Sequence, residues 1–194
     1  MNKRTKLGLL FLAVGTLLVL CATGIHLAHE REDELAGESA ALLLQTLDDK
    51  TRLPEGAAGT DPLLPTVLYR DRSILAAVSV PSLGLRLPVL NEWDEELLKT
   101  APCRYRGSLS ENNLILMGHN YKSHFGPLSD VRIGETVTLE NTLGNKFHFT
   151  VDKIETLSGS DGELLPDETY PLTLFTCDMS GTARIVVRCI RTQA

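Results

Sequence analysis

The chain has 194 residues, a hydrophobic fraction of 43% and a formal net charge of −6, as expected for an ordinary globular domain with a short appendage. It contains no basic stretch interleaved with aromatic residues, which argues against a nucleic-acid partner. It also contains no internal repeat and no low-complexity segment, so repeat architectures are excluded.

An apolar segment without permanent charges occupies residues 7–28 and follows three cations within residues 1–6. About 20 apolar residues are enough for a helix to cross a bilayer. The cations before this segment and the acid-rich stretch after it predict a cytoplasmic N-terminus and an extracellular remainder. A cleaved signal peptide is the alternative, although Ala22-Thr23-Gly24 is a poor cleavage site.

Residues 29–72 are predicted to form an extracellular stalk that holds a folded domain off the membrane. Apolar residues at helical spacing up to Leu47 predict a helix in the first part of this stalk. Proline and glycine residues between Pro54 and Pro65 then interrupt regular structure. The folded domain is therefore predicted to comprise residues 73–194.

Short apolar segments separated by turn residues fill this domain. Strands are predicted at residues 74–80, 85–90, 114–117, 136–139, 146–156, 172–177 and 183–190. Residues 142–145 predict a hairpin, and residues 94–99 predict a short helix with Asn91 as its N-cap. Many short strands with little helix indicate a mainly β fold, a closed or nearly closed β-barrel.

The four cysteines lie in different parts of the sequence. Cys21 belongs to the apolar segment, and Cys177 ends a predicted strand. Cys103 and Cys189 either form a disulfide outside the cell or remain buried thiols, and sequence alone does not decide between these alternatives. No zinc-type cysteine pairing occurs, so neither a metal site nor a cofactor is predicted.

Three segments carry residue types that together suit covalent catalysis. They are Met117-Gly118-His119-Asn120, Thr173-Leu174-Phe175-Thr176-Cys177 and Arg184-Ile185-Val186-Val187. A thiol at a strand end is accessible to a substrate, and a neighbouring cation favours its nucleophilic thiolate form. A histidine can protonate a leaving amine, and an arginine, which stays protonated, can hold an oxyanion. Each residue alone is more typical of a structural role, so the prediction rests on the combination.

These segments resemble the signature of the Gram-positive sortases. The strand that ends at Cys177 matches the family's TLxTC motif, Gly118-His119 matches the family's histidine, and Arg184 matches the arginine that begins the next strand. The resemblance covers residues 74–191. It implies an eight-stranded sortase-type β-barrel with short helices, preceded by one transmembrane helix, in a cysteine transpeptidase on the outer face of a Gram-positive cell membrane.

The resemblance also implies roles for individual residues. Cys177 would attack the C-terminal sorting signal of a secreted protein, and an amine of the peptidoglycan or of a pilin would then resolve the thioacyl-enzyme. His119 would act as the acid and base, and Arg184 would hold the developing negative charge. Asn120 either contacts the substrate or caps the short segment that follows it. Thr176, next to the nucleophile, either contacts the substrate or supports the residues that do.

Several alternatives stay open at this point. Arg188 lies four residues after Arg184 on the same predicted strand face and competes for its role, but Arg184 lies closer to Cys177. The segment 124–128 is similar to class B sortases, whereas the short segment 157–171 is not, so the subclass is undecided. A non-catalytic peptide-binding or assembly module of the cell surface is the alternative function. A papain-like hydrolase is disfavoured because its cysteine precedes its histidine.

Overall fold

The computed structural model describes residues 2–49, 61–158, 170–178 and 180–192. The stalk segment rich in proline and glycine therefore falls largely outside the described residues, at 50–60. So does most of the segment 157–171, which the family resemblance associates with the substrate groove. The boundaries predicted for the stalk and for the folded domain stay predictions.

One long helix, α1 (Lys3–Asp48), begins the described chain. Its first half exposes large apolar side chains such as Phe11 and Leu18, and its length and composition allow it to cross a membrane. Its second half is different, because Ala36, Ala40 and Leu43 are buried. The helix predicted within the stalk therefore continues the apolar helix and packs on the domain rather than acting as a free spacer.

Besides two 3-10 helices at Pro81–Leu83 and Gly126–Asp130, nine strands and one short α-helix follow in the described residues. They are β1 (Val67–Tyr69), β2 (Arg72–Val80), β3 (Leu85–Leu90), α2 (Glu95–Leu98), β4 (Cys103–Arg106), β5 (Leu114–Met117), β6 (Thr136–Asn141), β7 (Lys146–Ser158), β8 (Leu172–Cys177) and β9 (Ala183–Arg191). Eight of them pair in the order β2-β3-β4-β5-β8-β9-β7-β6, and β6 pairs back to β2. This pairing closes an eight-stranded barrel and confirms the predicted fold, while β1 adds to the outer edge of β2.

The predicted strands agree closely with the observed ones, but two short elements were missed. β4 has four residues, and its alternating arginines make it look like a solvated loop. β1 has only three residues. The predicted helix cap was wrong, since Asp94 and not Asn91 caps α2 by accepting a hydrogen bond of 2.7 Å from the Leu97 amide.

The barrel interior and a second apolar cluster under α1 form the core. Cys189 lies inside the barrel, whereas Cys103 lies in the second cluster beside Leu43. Both cysteines are free thiols, and burial raises the pKa of each to about 12. Of the two alternatives for this pair, the structure shows the buried thiols and not the disulfide.

Candidate active site

Parallel pairing of β5 with β8 brings the predicted histidine and cysteine to one edge of the barrel. Met117 pairs with Phe175, and the Gly118 amide donates a hydrogen bond of 3.1 Å to the Phe175 carbonyl. His119 and Cys177 each lie two residues beyond this Met117–Phe175 pair. Because parallel strands end on the same side, the two residues emerge together although they are far apart in sequence.

Antiparallel pairing of β8 with β9 adds the arginine. Cys177 and Arg184 are direct cross-strand partners, and Arg184 Nη1 donates a hydrogen bond of 3.1 Å to Cys177 Sγ. Both side chains are half-buried, so they remain accessible from solvent. A guanidinium in this position stabilises negative charge on the sulfur or on an oxygen bound next to it.

Arg188, the competing arginine, is 2% exposed and is held away from the thiol. Its Nε donates to Glu155 Oε2 at 3.2 Å, and its Nη1 donates to Thr173 Oγ1 at 3.3 Å. These contacts give it a structural role in the barrel wall.

The connection between β8 and β9 is a tight turn organised by Asp178. Its carboxylate accepts hydrogen bonds from the Ser180 hydroxyl and from the amides of Thr182 and Ala183. These bonds, with that from Ser180 the strongest, hold the pKa of Asp178 below its usual range. Gly181 adopts φ of +72°, a conformation that other residues rarely adopt. The turn therefore fixes Arg184 opposite Cys177.

His119 stacks on Tyr121, with ring centroids 4.6 Å apart and an interplanar angle of 21°. Burial lowers the pKa of His119, the positive charge of Lys99 lowers it further, and Glu32 opposes both effects. The lowered pKa favours the neutral ring, which is able to accept a proton. Tyr121 was not singled out from the sequence, because nothing in its local pattern shows that it folds back onto the preceding histidine.

Asn120 links the two strand ends, since its Nδ2 donates to the Asp178 carbonyl at 3.1 Å. Its role as a substrate contact stays a prediction. Thr176 is 1% exposed, and its hydroxyl has no hydrogen-bond partner within the described structure. It faces the barrel interior, on the strand face opposite to Cys177, and its predicted role at the substrate stays a prediction.

The loop after His119 wraps around the buried Phe125 ring. The Phe125 amide donates to the His119 carbonyl at 3.1 Å. A Cβ atom at Gly118 would lie 2.6 Å from the Phe125 ring, so a larger residue would displace either that ring or the histidine. This packing explains why a glycine precedes His119.

An apolar wall extends along the barrel from Cys177. Phe175, on the same strand face as the cysteine, packs edge-on against Tyr105 with ring centroids 5.3 Å apart, and Tyr105 packs on Trp93 at 5.6 Å. Trp93 is 47% exposed. The sequence predicts no role for Trp93 or Tyr105 beyond packing in the core or at its rim. The alternation of β8 identifies Phe175 as a neighbour of the cysteine, but the approach of Tyr105 and Trp93 depends on the barrel.

The family model of the sortase domain matches residues 78–192. The chain belongs to the sortase family. The match includes all three segments of the site, and its extent agrees with the closed barrel. No curated protein matches the chain.

Solved sortase structures share the fold. Sortase C1 from Streptococcus agalactiae is 26% identical, with a TM-score of 0.55 over 62% of this chain and 68% of its own. Sortase A from Listeria monocytogenes is 23% identical, with a TM-score of 0.55 over 62% of this chain and 88% of its own. A Clostridium perfringens sortase D5 transpeptidase is 16% identical, with a TM-score of 0.58 over 82% and 99% of the two chains. The class B-like features of this sortase stay a prediction.

Proposed function

We propose that this sortase is a cysteine transpeptidase that cleaves a C-terminal sorting signal of secreted proteins and transfers the acyl group to an amine of the cell wall or of a pilin. The observation that carries the proposal is the hydrogen bond of 3.1 Å from Arg184 to Cys177 Sγ. It lies at the barrel edge where parallel β5 and β8 also deliver His119.

In the first half-reaction, the Cys177 thiolate attacks the peptide carbonyl carbon, and a C–S bond forms as the carbonyl oxygen becomes negative. The Arg184 guanidinium donates to this oxygen and stabilises it. His119, which has taken the proton of the Cys177 thiol, then gives it to the departing amide nitrogen as the C–N bond breaks. The products are a thioacyl-enzyme, neutral His119 and the released C-terminal peptide.

In the second half-reaction, the acceptor amine attacks the thioester carbonyl, and His119 takes one proton from the amine nitrogen. The C–S bond breaks, Cys177 leaves as a thiolate, and a new amide bond is complete. The lowered pKa of His119 suits this step, because a neutral imidazole is the base that the amine needs. Trp93, packed on Tyr105 and backed by the buried Phe175, offers the acyl peptide an exposed apolar surface near the strand face that carries Cys177.

We also propose that α1 anchors the enzyme as a single-pass protein of the cell membrane, with its N-terminus in the cytoplasm and the barrel outside. The uncharged segment 7–28 and the cations that precede it support this orientation.

Mass spectrometry of the full-length protein in detergent, mixed with sorting-signal peptides and an added amine, tests the function. We expect an acyl adduct on Cys177 that transfers to the amine, and no adduct in Cys177→Ala. Cys21→Ala is the matched control and should react normally, because this thiol lies on the exposed apolar half of α1. Reversible peptide binding without any adduct would favour the non-catalytic binding module.

A further inference from the structure

Helix α1 contacts the barrel next to the candidate active site. The Asp33 carboxylate accepts hydrogen bonds from the amides of Lys122 at 3.2 Å and Ser123 at 2.9 Å, and the Ser123 hydroxyl donates to the Asp33 carbonyl at 3.0 Å. Partial burial opposes ionisation of Asp33, but the bonds from Ser123 and Lys122 hold its pKa below the usual range. This contact of Asp33 is therefore specific, and it holds the loop that directly follows His119.

A second contact lies at the other end of the packed half of α1. Arg86 on β3 donates to both carboxylate oxygens of Asp48, at 2.9 and 2.7 Å. Leu43 is buried between the two contacts, against Ile74 and Leu90. Asp33 and Asp48 are fifteen residues apart, which is about 22 Å along a helix that rises 1.5 Å per residue. The barrel therefore lies lengthwise along α1.

The spacing of these contacts relates the barrel to a bilayer. The apolar segment ends at Ala28, five residues before Asp33, which corresponds to about 8 Å of helix. The headgroup region on one side of a bilayer is about 5–8 Å thick. His26 and His29 line one cleft together with Lys122 and Pro127, so the His119 loop lies at the height where α1 leaves the apolar layer.

The opposite end of the barrel lies far from this boundary. The β6–β7 turn shares a cleft with Leu47 and Asp48, and its Leu143 side chain is 64% exposed. Along α1, this turn lies about 22 Å further from the apolar segment than the Asp33 contact does. A helix tilt of about 20° from the bilayer normal reduces this difference in height by less than a tenth.

We propose that α1 is a rigid mount that holds the His119 edge against the lipid headgroups and directs the β6–β7 turn away from the membrane. The partner of the surface around Lys122 and Pro127 is then the headgroup layer. The inference rests on the proposed insertion of α1, but it does not depend on the transpeptidase reaction.

Depth-dependent quenching in vesicles tests this orientation. Full-length protein carrying Cys21→Ser and Cys177→Ala receives a fluorophore at Lys122→Cys or, as the matched control, at Leu143→Cys. The two remaining thiols are buried. In phosphatidylcholine vesicles that contain headgroup nitroxide lipids, we expect quenching at position 122 to exceed quenching at position 143 several-fold. Equal quenching, or stronger quenching at 143, would overturn the proposal.

A seven-residue polar helical insertion between Ala28 and His29 gives a second measurement. It lifts the barrel by about 10 Å and rotates it by only about 20°. Quenching at Lys122→Cys should fall toward the lower level at Leu143→Cys, and unchanged quenching would contradict a rigid mount. Vesicle flotation reports the insertion of α1 separately, and loss of flotation in the parent protein would overturn the premise. Neither readout requires activity.

Discussion

Two arginines on β9 show how strongly position decides the role of a residue. Arg184 and Arg188 lie four residues apart on one strand face, and the sequence favoured Arg184 only because it is nearer to Cys177. In the structure, Arg184 donates to the thiol, whereas Arg188 is 2% exposed and bound to Glu155. The first arginine therefore belongs to the proposed chemistry and the second to the stability of the barrel.

Substitution of each arginine by glutamine should separate these roles. Arg184→Gln removes the cation beside the sulfur and is expected to lower kcat/KM for transpeptidation about 10²–10³-fold, with little change in thermal midpoint. Arg188→Gln breaks the contacts of a buried guanidinium with Glu155 and Thr173, although Glu155 keeps Lys153 at 2.7 Å. This loss should cost about 2–3 kcal/mol of stability, less than for a fully buried pair because Glu155 is partly exposed. Peptide turnover and thermal melting measure the two effects. The assignment fails if Arg188→Gln folds normally and is the inactive variant.

The sequence was sufficient for the residues that belong to a motif and insufficient for those that join the site through the fold. His119, Cys177 and Arg184 come from local patterns that the barrel brings to one edge. Tyr121 and Trp93 do not, because a stacking contact and a barrel-dependent contact leave no periodic signal. Thr176 shows the limit of a motif in another way, since strand alternation turns its side chain into the barrel and its role at the substrate stays a prediction.

At the scale of elements, α1 is one continuous helix with an exposed apolar first half and a second half that packs on the barrel. The sequence predicted an apolar helix and a helical stalk, but it did not show that they are continuous or that the second part packs on the barrel. The packed face includes Ala36, Ala40 and Leu43, and two of these are too small to give a strong amphipathic pattern. The barrel strands were easier to predict, because their apolar segments end at clear turn residues.

The interface of α1 with the His119 loop predicts acid sensitivity. His124 is fully buried there, and neither ring nitrogen has a hydrogen-bond partner within the described structure. Burial lowers its pKa to about 4, the backbone of Ala36 and Thr100 opposes this shift, and among nearby titratable groups His119 adds to it and Asp33 opposes it.

The pKa of His124 is about 6.5 in the unfolded chain and about 4 in the folded protein. Between these two pH values, the imidazole is protonated only in the unfolded chain. Stability should therefore fall as the pH drops through this window, by about 2 kcal/mol between pH 7 and pH 5. That loss corresponds to a thermal midpoint about 4–8 °C lower. In His124→Leu most of this difference should disappear, while His148→Gln, on the exposed face of β7, should retain it. An identical pH dependence in the leucine variant would rule out His124 as the cause.

At the scale of the whole molecule, hydrogen bonds between the strands close the barrel. One apolar cluster lies outside this barrel, and α1 covers it. The cluster of Ile74, Leu90, Ala101 and Cys103 lies outside the main core, and Leu43 of α1 buries it, with Leu47 packed alongside. Burial of each large apolar side chain contributes about 1.5–3 kcal/mol. The second half of α1 is therefore part of the folded domain in energetic terms, although the chain enters β1 only after the segment 50–60.

Two truncations distinguish this view from that of a barrel on a passive stalk. Residues 29–194 retain the packed half of α1, whereas residues 61–194 lose Leu43 and the hydrogen bonds of Asp33 and Asp48. We expect the shorter protein to melt about 10 °C lower, to bind a hydrophobic dye, and to exchange the amides of Lys122 and Ser123 faster. Equal melting and exchange would mean that α1 adds no net stability. The expected result would make the anchor helix a structural support of the His119 loop, so activities measured on the isolated barrel would underestimate those of the complete enzyme.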